Sequence, residues 1–272
     1  MLDLGAAPRV VAEWAAAARR RPDELPGIRF AGAFLTAPGG YPAGRDWAPA
    51  GSVLELATVD EARRAVCAMA SGGASAIKLT LNTDAGPTLA DELVLAVVEE
   101  AHARALPVVA HAQGAGQALR AAACGVDVLA HAPWTERLSD PEIARLAART
   151  TWISTLGIHA DGSRDRGIAI DNLRRFAAAG GRVLYGTDLG NGDLPLGVSA
   201  PELSALVEAG LERDAMLAAL RGLPPHDGLG DRATWIAGPM PERGSGTDPQ
   251  RLVSWLSAAT NLTIAPRREH QP

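Results

Sequence analysis

The chain has 272 residues, 47% of them hydrophobic, and a formal net charge of -5. That length suits one large α/β barrel or two ordinary domains with a sizeable buried core, and a mild acidic balance argues against a nucleic-acid binder or a polybasic membrane surface. Cys67 and Cys124 are too few for a disulfide framework, residues 1–8 (MLDLGAAP) lack the features of a signal peptide, and no apolar stretch approaches the roughly 18 residues of a membrane helix. A cytoplasmic protein with no membrane partner is expected.

Short apolar runs then alternate with longer amphipathic ones. The first run is 28–36 (IRFAGAFLT), followed by a helix-like segment at 59–70. Next come a strand at 76–82 (AIKLTLN) and a helix at 88–104 with Thr88 at its start. The alternation continues with a strand at 107–113 (PVVAHAQ), a helix at 115–123, a strand at 126–132 (VDVLAHA) and a helix at 140–149 capped by Ser139. A strand at 151–156 (TWISTL), a helix at 165–179 and a strand at 182–189 (RVLYGTDL) follow, then one helix over 201–221. The helices carry apolar residues at three- and four-residue spacing, and Gly72, Gly125 and Gly180 suit their ends. Buried aliphatic strands separated by helices make a parallel α/β fold. Periodicity leaves a closed barrel and an open doubly wound sheet both standing, although no G-x-G-x-x-G follows an early strand. From about Gly222 the composition changes to Pro, Gly and Asp clusters, with an apolar run at 233–237, a short helix near 250–259 and a frayed end.

Four ligand-type residues fall near the carboxyl ends of four of these strands: Lys78, His111, His131 and Asp188. In parallel α/β folds that edge carries the active site. Singly, each has an ordinary reading: a hydrogen-bonded core histidine, a loop-capping aspartate, a lysine reaching to solvent. Together they would be expensive to bury without a shared partner, and a divalent cation satisfies them all. Among 26 Lys and Arg residues Lys78 is the only lysine. That points to a site needing a primary amine, or to one surface lysine kept by chance, and composition leaves both open.

The strand ends IKLTLN, VVAHAQG, VLAHAPW and YGTDLG, in this order, resemble the amidohydrolase superfamily, in particular its imidazolonepropionase-like and carboxylated-lysine (prolidase-type) branch. The segment FLTAPGGYP at 34–42 resembles the loop after that branch's third strand. The likeness covers roughly residues 1–220. It implies a TIM-type (β/α)8 barrel, a carboxylated Lys78, metal ligation by Lys78, His111 and His131, and Asp188 as a ligand and catalytic proton carrier. It further implies one or two divalent ions, expected to be zinc, activating water for hydrolysis of an amide, cyclic amide or peptide-like C–N bond.

The pattern departs from that branch at the start. No H-x-H occurs anywhere, and MLDLG resembles the end of the second strand. The expectation is a barrel lacking its first strand and helix over residues 1–222. A tail over 223–272 would hold a short C-terminal remnant of the family's small β domain near 232–240. Activity of such a chain is in doubt, and the alternatives are a non-catalytic or partner-binding barrel, or a Schiff-base enzyme using Lys78. Tyr41, His159 and Asn191 are candidate contacts to a small-molecule substrate, each against a plain loop reading. An open barrel edge makes homo-oligomerisation plausible. The six Trp are scattered and read as packing.

Overall fold

The computed structural model describes residues 1–22, 24–190, 194, 197–222, 232–241 and 248–263. The chain opens with β1 (Leu2–Asp3) and α1 (Pro8–Arg20), a helix started by a proline at its first turn. The run at 28–36 is not one strand. Gly32 adopts φ 80°, and the run divides into β2 (Arg29–Phe30) and β3 (Phe34–Thr36). β2 pairs in parallel with β1 at one end, while β3 pairs with β4 (Val53–Glu55), a short strand with no counterpart among the sequence expectations.

The regular part follows as α2 (Val59–Ser71), β5 (Ile77–Asn82), α3 (Asp91–His102), β6 (Val108–Gln113), α4 (Gln117–Ala123) and β7 (Val128–Leu129). It continues with α5 (Asp140–Ala147), β8 (Thr151–Ile153), α6 (Arg164–Ala178) and β9 (Arg182–Leu184). All strands of the seven-stranded sheet run parallel in the order β4-β3-β5-β6-β7-β8-β9. Among the described residues β1 and β9 each pair with one neighbour.

Local chemistry explains most boundaries. Thr58 and Glu61 form a reciprocal capping box at α2, and Ser139 and Glu142 do the same at α5. Thr88 does not cap α3: the helix starts at Asp91, and the Thr88 hydroxyl instead accepts from the Arg120 guanidinium. The segment expected as one helix over 201–221 is two, α7 (Ala200–Glu208) and α8 (Arg213–Leu220), because Gly210 turns left-handed at φ 82° and breaks the ladder. In the C-terminal region β10 (Arg232–Trp235) and β11 (Thr260–Thr263) form an antiparallel hairpin around α9 (Pro249–Ser257). β11 falls where no strand was expected. Leu252, Val253 and Leu256 of α9 join the main core.

Two apolar layers show how the sheet is used. Ile77, Leu79 and Leu81 of β5, with Val108 and Ala110 of β6, face the helices in the large core. Trp152 of β8 stacks there on Phe176 of α6, ring centres 3.8 Å apart. Ala31, Ala76, Val109, Val128, Ala130, Ile153 and Leu184 form a separate buried cluster with Leu4 packed against it. Successive strands contribute these residues, so the cluster is the layer filling the inside of the curved sheet, as in a TIM-type barrel. Strand alternation then puts the residues two positions further on at the carboxyl edge of that interior. Cys67 and Cys124 are free thiols, and among the described residues no helix is long and apolar enough to cross a membrane.

Candidate active site

Two steps beyond Ala76 and Val109 of the inner layer lie Lys78 and His111. Lys78 is 4% exposed and His111 8%. Burial pulls the Lys78 ammonium down to a pKa of about 8, against support from Asp188 and Asp3. Such a lysine is within reach of its neutral, nucleophilic form near physiological pH.

His111 is fixed by β5 and β6 side chains. Its Nε2 lies 3.1 Å from Gln113 Oε1 and 3.4 Å from Asn82 Nδ2. Gln113 Oε1 also accepts from Asn82 Nδ2 at 2.8 Å. Nε2 thus faces an acceptor and, slightly further off, a donor, so this nitrogen is engaged in either tautomer. His131, just past β7, is held by its other nitrogen: Nδ1 lies 2.8 Å from Thr155 Oγ1. Among the described residues no hydrogen bond engages the remaining nitrogen of either ring. The two rings stand edge to face with centres 4.9 Å apart.

Both imidazoles are held well below the usual histidine pKa. Burial is the main cause in each; His131 and Lys78 add to it at His111, and Lys78 and His159 at His131. They are therefore neutral, the form that binds metals. An ion bound to both at about 2.0–2.1 Å in tetrahedral geometry would put the ring centres roughly 5 Å apart. The observed spacing fits, and so does the anchoring of each ring through its other nitrogen. Among the described residues, however, no group of three or more His, Cys, Asp or Glu side chains is gathered to hold an ion. Asp188 is exposed, at φ 52° in the loop after β9. Its charge still acts on Lys78, His111 and Tyr41.

Of the weaker candidates, Tyr41 and His159 lie at this site. The Tyr41 ring centre is 5.1 Å from that of His111, and the Thr80 hydroxyl donates to the Tyr41 carbonyl, tying this loop to β5. Burial raises the Tyr41 pKa, with Asp188 adding to it. His159 reaches the site through Trp134, ring centres 5.2 Å apart. Asn191 lies outside the described residues.

Sequence reading missed two residues. Trp134 contacts both histidines, at 5.8 Å from His111 and 5.4 Å from His131, so it is a wall of the site as well as packing. Its place three residues after His131 was the available signal. Asp3 of β1 is the other: its charge acts on Lys78, and burial raises its own pKa. Nothing in a two-residue strand at the chain's start marks it as facing a lysine 75 positions away.

No protein-family model and no curated protein sequence matches the chain. Solved structures do. A Xaa-Pro dipeptidase with methionine bound in its active site aligns over 80% of this chain and 61% of its own, with a TM-score of 0.65 and 22% identity. The ochratoxinase of A. niger aligns over 80% of this chain and 58% of its own, with a TM-score of 0.64 and 21% identity. Molinate hydrolase aligns over 80% and 60%, with a TM-score of 0.61 and 15% identity. The chain thus spans about three fifths of the length of the structures it matches. Another similar structure is described as an amidohydrolase, at a TM-score of 0.60 and 23% identity. The chain has the α/β barrel fold of these hydrolases, the fold implied by the resemblance of its strand-end residues to the amidohydrolases.

Proposed function

We propose that this chain forms the catalytic barrel of a metal-dependent hydrolase acting on an amide, cyclic amide or peptide-like C–N bond of a small molecule. The observation that carries the reading is the pair of neutral imidazoles, His111 buried and His131 partly buried, with ring centres 4.9 Å apart and each anchored through one nitrogen with the other left for an ion. His111 and His131 would hold one divalent ion, with zinc the expected metal from the imidazole donors. Lys78, poised near pH 8 by burial, would join them as a carbamate formed with carbon dioxide. Such an ion supplies Lewis acidity, polarising a carbonyl and lowering the pKa of water. Asp188 would hold the attacking water and return its proton to the leaving nitrogen. Tyr41, Trp134 and His159 would bound the substrate, and the dipeptidase and ochratoxinase among similar structures suggest the class of bond to try first.

The test is calorimetric titration of the metal-free chain with Co²⁺ or Zn²⁺, alongside His111→Ala and His131→Ala. Near-stoichiometric uptake by the parent, weakened at least about a hundredfold in both variants, is expected for the loss of one of few ligands. Uptake unaffected by either substitution would sink the proposal. No uptake by a folded parent would favour the second reading, a non-catalytic binding barrel, which draws on the lack of a third His, Cys, Asp or Glu beside the pair among the described residues.

A further inference from the structure

Glu202 is a carboxylate 1% exposed on α7, outside the set of residues assigned above. It touches neither histidine. Its Oε1 accepts the Leu156 N–H at 3.0 Å and its Oε2 the Gly157 N–H at 2.7 Å. These amides open the 3-10 turn Leu156–Ile158 that follows β8. The residue just before them is Thr155, whose hydroxyl meets His131 Nδ1. Thr155 is left-handed, at φ 43° and ψ 35°. A β-branched residue holds that conformation only where its surroundings impose it. Two restraints do so here: the Gly186 carbonyl accepts the Thr155 N–H at 3.2 Å, and Glu202 grips the next two amides.

We propose that Glu202 is a positioning residue for His131: by clamping the Leu156 and Gly157 amides it fixes Thr155, and the Thr155 hydroxyl fixes the orientation of the imidazole. An uncharged amide at position 202 presents one acceptor and one donor, so it cannot accept from both N–H groups in the same way. The metal-affinity arm of the test rests on the function proposed above; the spectroscopic arm does not.

The experiment uses the full chain labelled with ¹⁵N-histidine, metal-free, as parent, Glu202→Gln, Thr155→Val, the double variant and Leu146→Ala, a buried core change on α5. The readouts are His131 ring ¹⁵N shifts and Co²⁺ affinity. Expected are moved His131 shifts in Glu202→Gln and Thr155→Val, and affinity losses of roughly ten- to a hundredfold in each. The double variant should lose no more than the worse single one, because both act through one contact. Leu146→Ala should lower stability and leave both readouts unchanged. Should Glu202→Gln not fold, Gly157→Ala replaces it: the added Cβ sits 3.2 Å from Glu202 Oε2 and disturbs the same clamp. Unmoved His131 shifts in the folded clamp variant, or affinity losses that add in the double variant, overturn the proposal. A folded parent that takes up no Co²⁺ removes the proposed function, and the His131 shifts then decide the role of Glu202 alone.

Discussion

Replacing Lys78 by methionine should stabilise the metal-free protein while removing a residue the proposed site needs. The side chain keeps nearly its length and loses its charge. Burial brings the folded-state pKa from an ordinary 10.5 to about 8. Between those values the unfolded chain carries a proton that the folded chain has released, so the lysine protein gains stability as pH rises through the window. The shift corresponds to on the order of 3 kcal/mol, nearly all of it a penalty still present at pH 7. By pH 9.5 about 2 kcal/mol of that penalty should be gone. The advantage of Lys78→Met over the parent should therefore shrink by about 2 kcal/mol between pH 7 and 9.5. Urea unfolding of both proteins, with a chelator and in buffer free of carbon dioxide, reads this directly. Carbon dioxide must be excluded because a carbamate would change the charge being measured. If the two stability profiles run parallel across that range, Lys78 is not buried as a charged group and the reasoning fails. A gain in stability bought with a loss of metal uptake is the trade expected of a strained functional residue.

Two further changes test the framework around the site. Gly186→Ala places a Cβ 2.3 Å from Ile153 Cγ2, a stiff β-branched neighbour, so it should cost about 1–3 kcal/mol in thermal or urea unfolding; an unchanged midpoint would mean that the close approach of β8 and the segment after β9 is wrong. Thr58→Ala removes one half of the α2 capping box and should cost about 1 kcal/mol, with site properties untouched, in the same unfolding assay.

Much of the fold is legible in the residues. The strands β5, β6, β8 and β9 fall inside the apolar runs that announce them, α2 and α6 fall within a residue of their patterned segments and α5 within two, because aliphatic period and capping chemistry are local properties. The inward placement of Lys78 and His111 was also legible, since period-2 alternation puts both on the same side of strands that pair with each other. Where the reading failed, the cause was a tertiary contact or a single backbone conformation. Gly32 and Gly210 looked compatible with continuous elements, yet their positive φ values divide them. Thr88 looked like a helix cap, but Arg120 from α4 takes its hydroxyl.

The sequence by itself determined the alternating α/β plan and the order in which ligand-type residues arrive at strand ends, because periodicity and residue chemistry travel along the chain. Only the tertiary structure decided which ring nitrogens are engaged, that a left-handed Thr155 meets His131, that Trp134 walls the site, and that Asp3 and Asp188 act on Lys78 while Asp188 stays exposed. The physical reason is that hydrogen bonds and electrostatic forces act across space. Residues 131, 155 and 202 become one unit only when the sheet curves and α7 packs against the turn after β8.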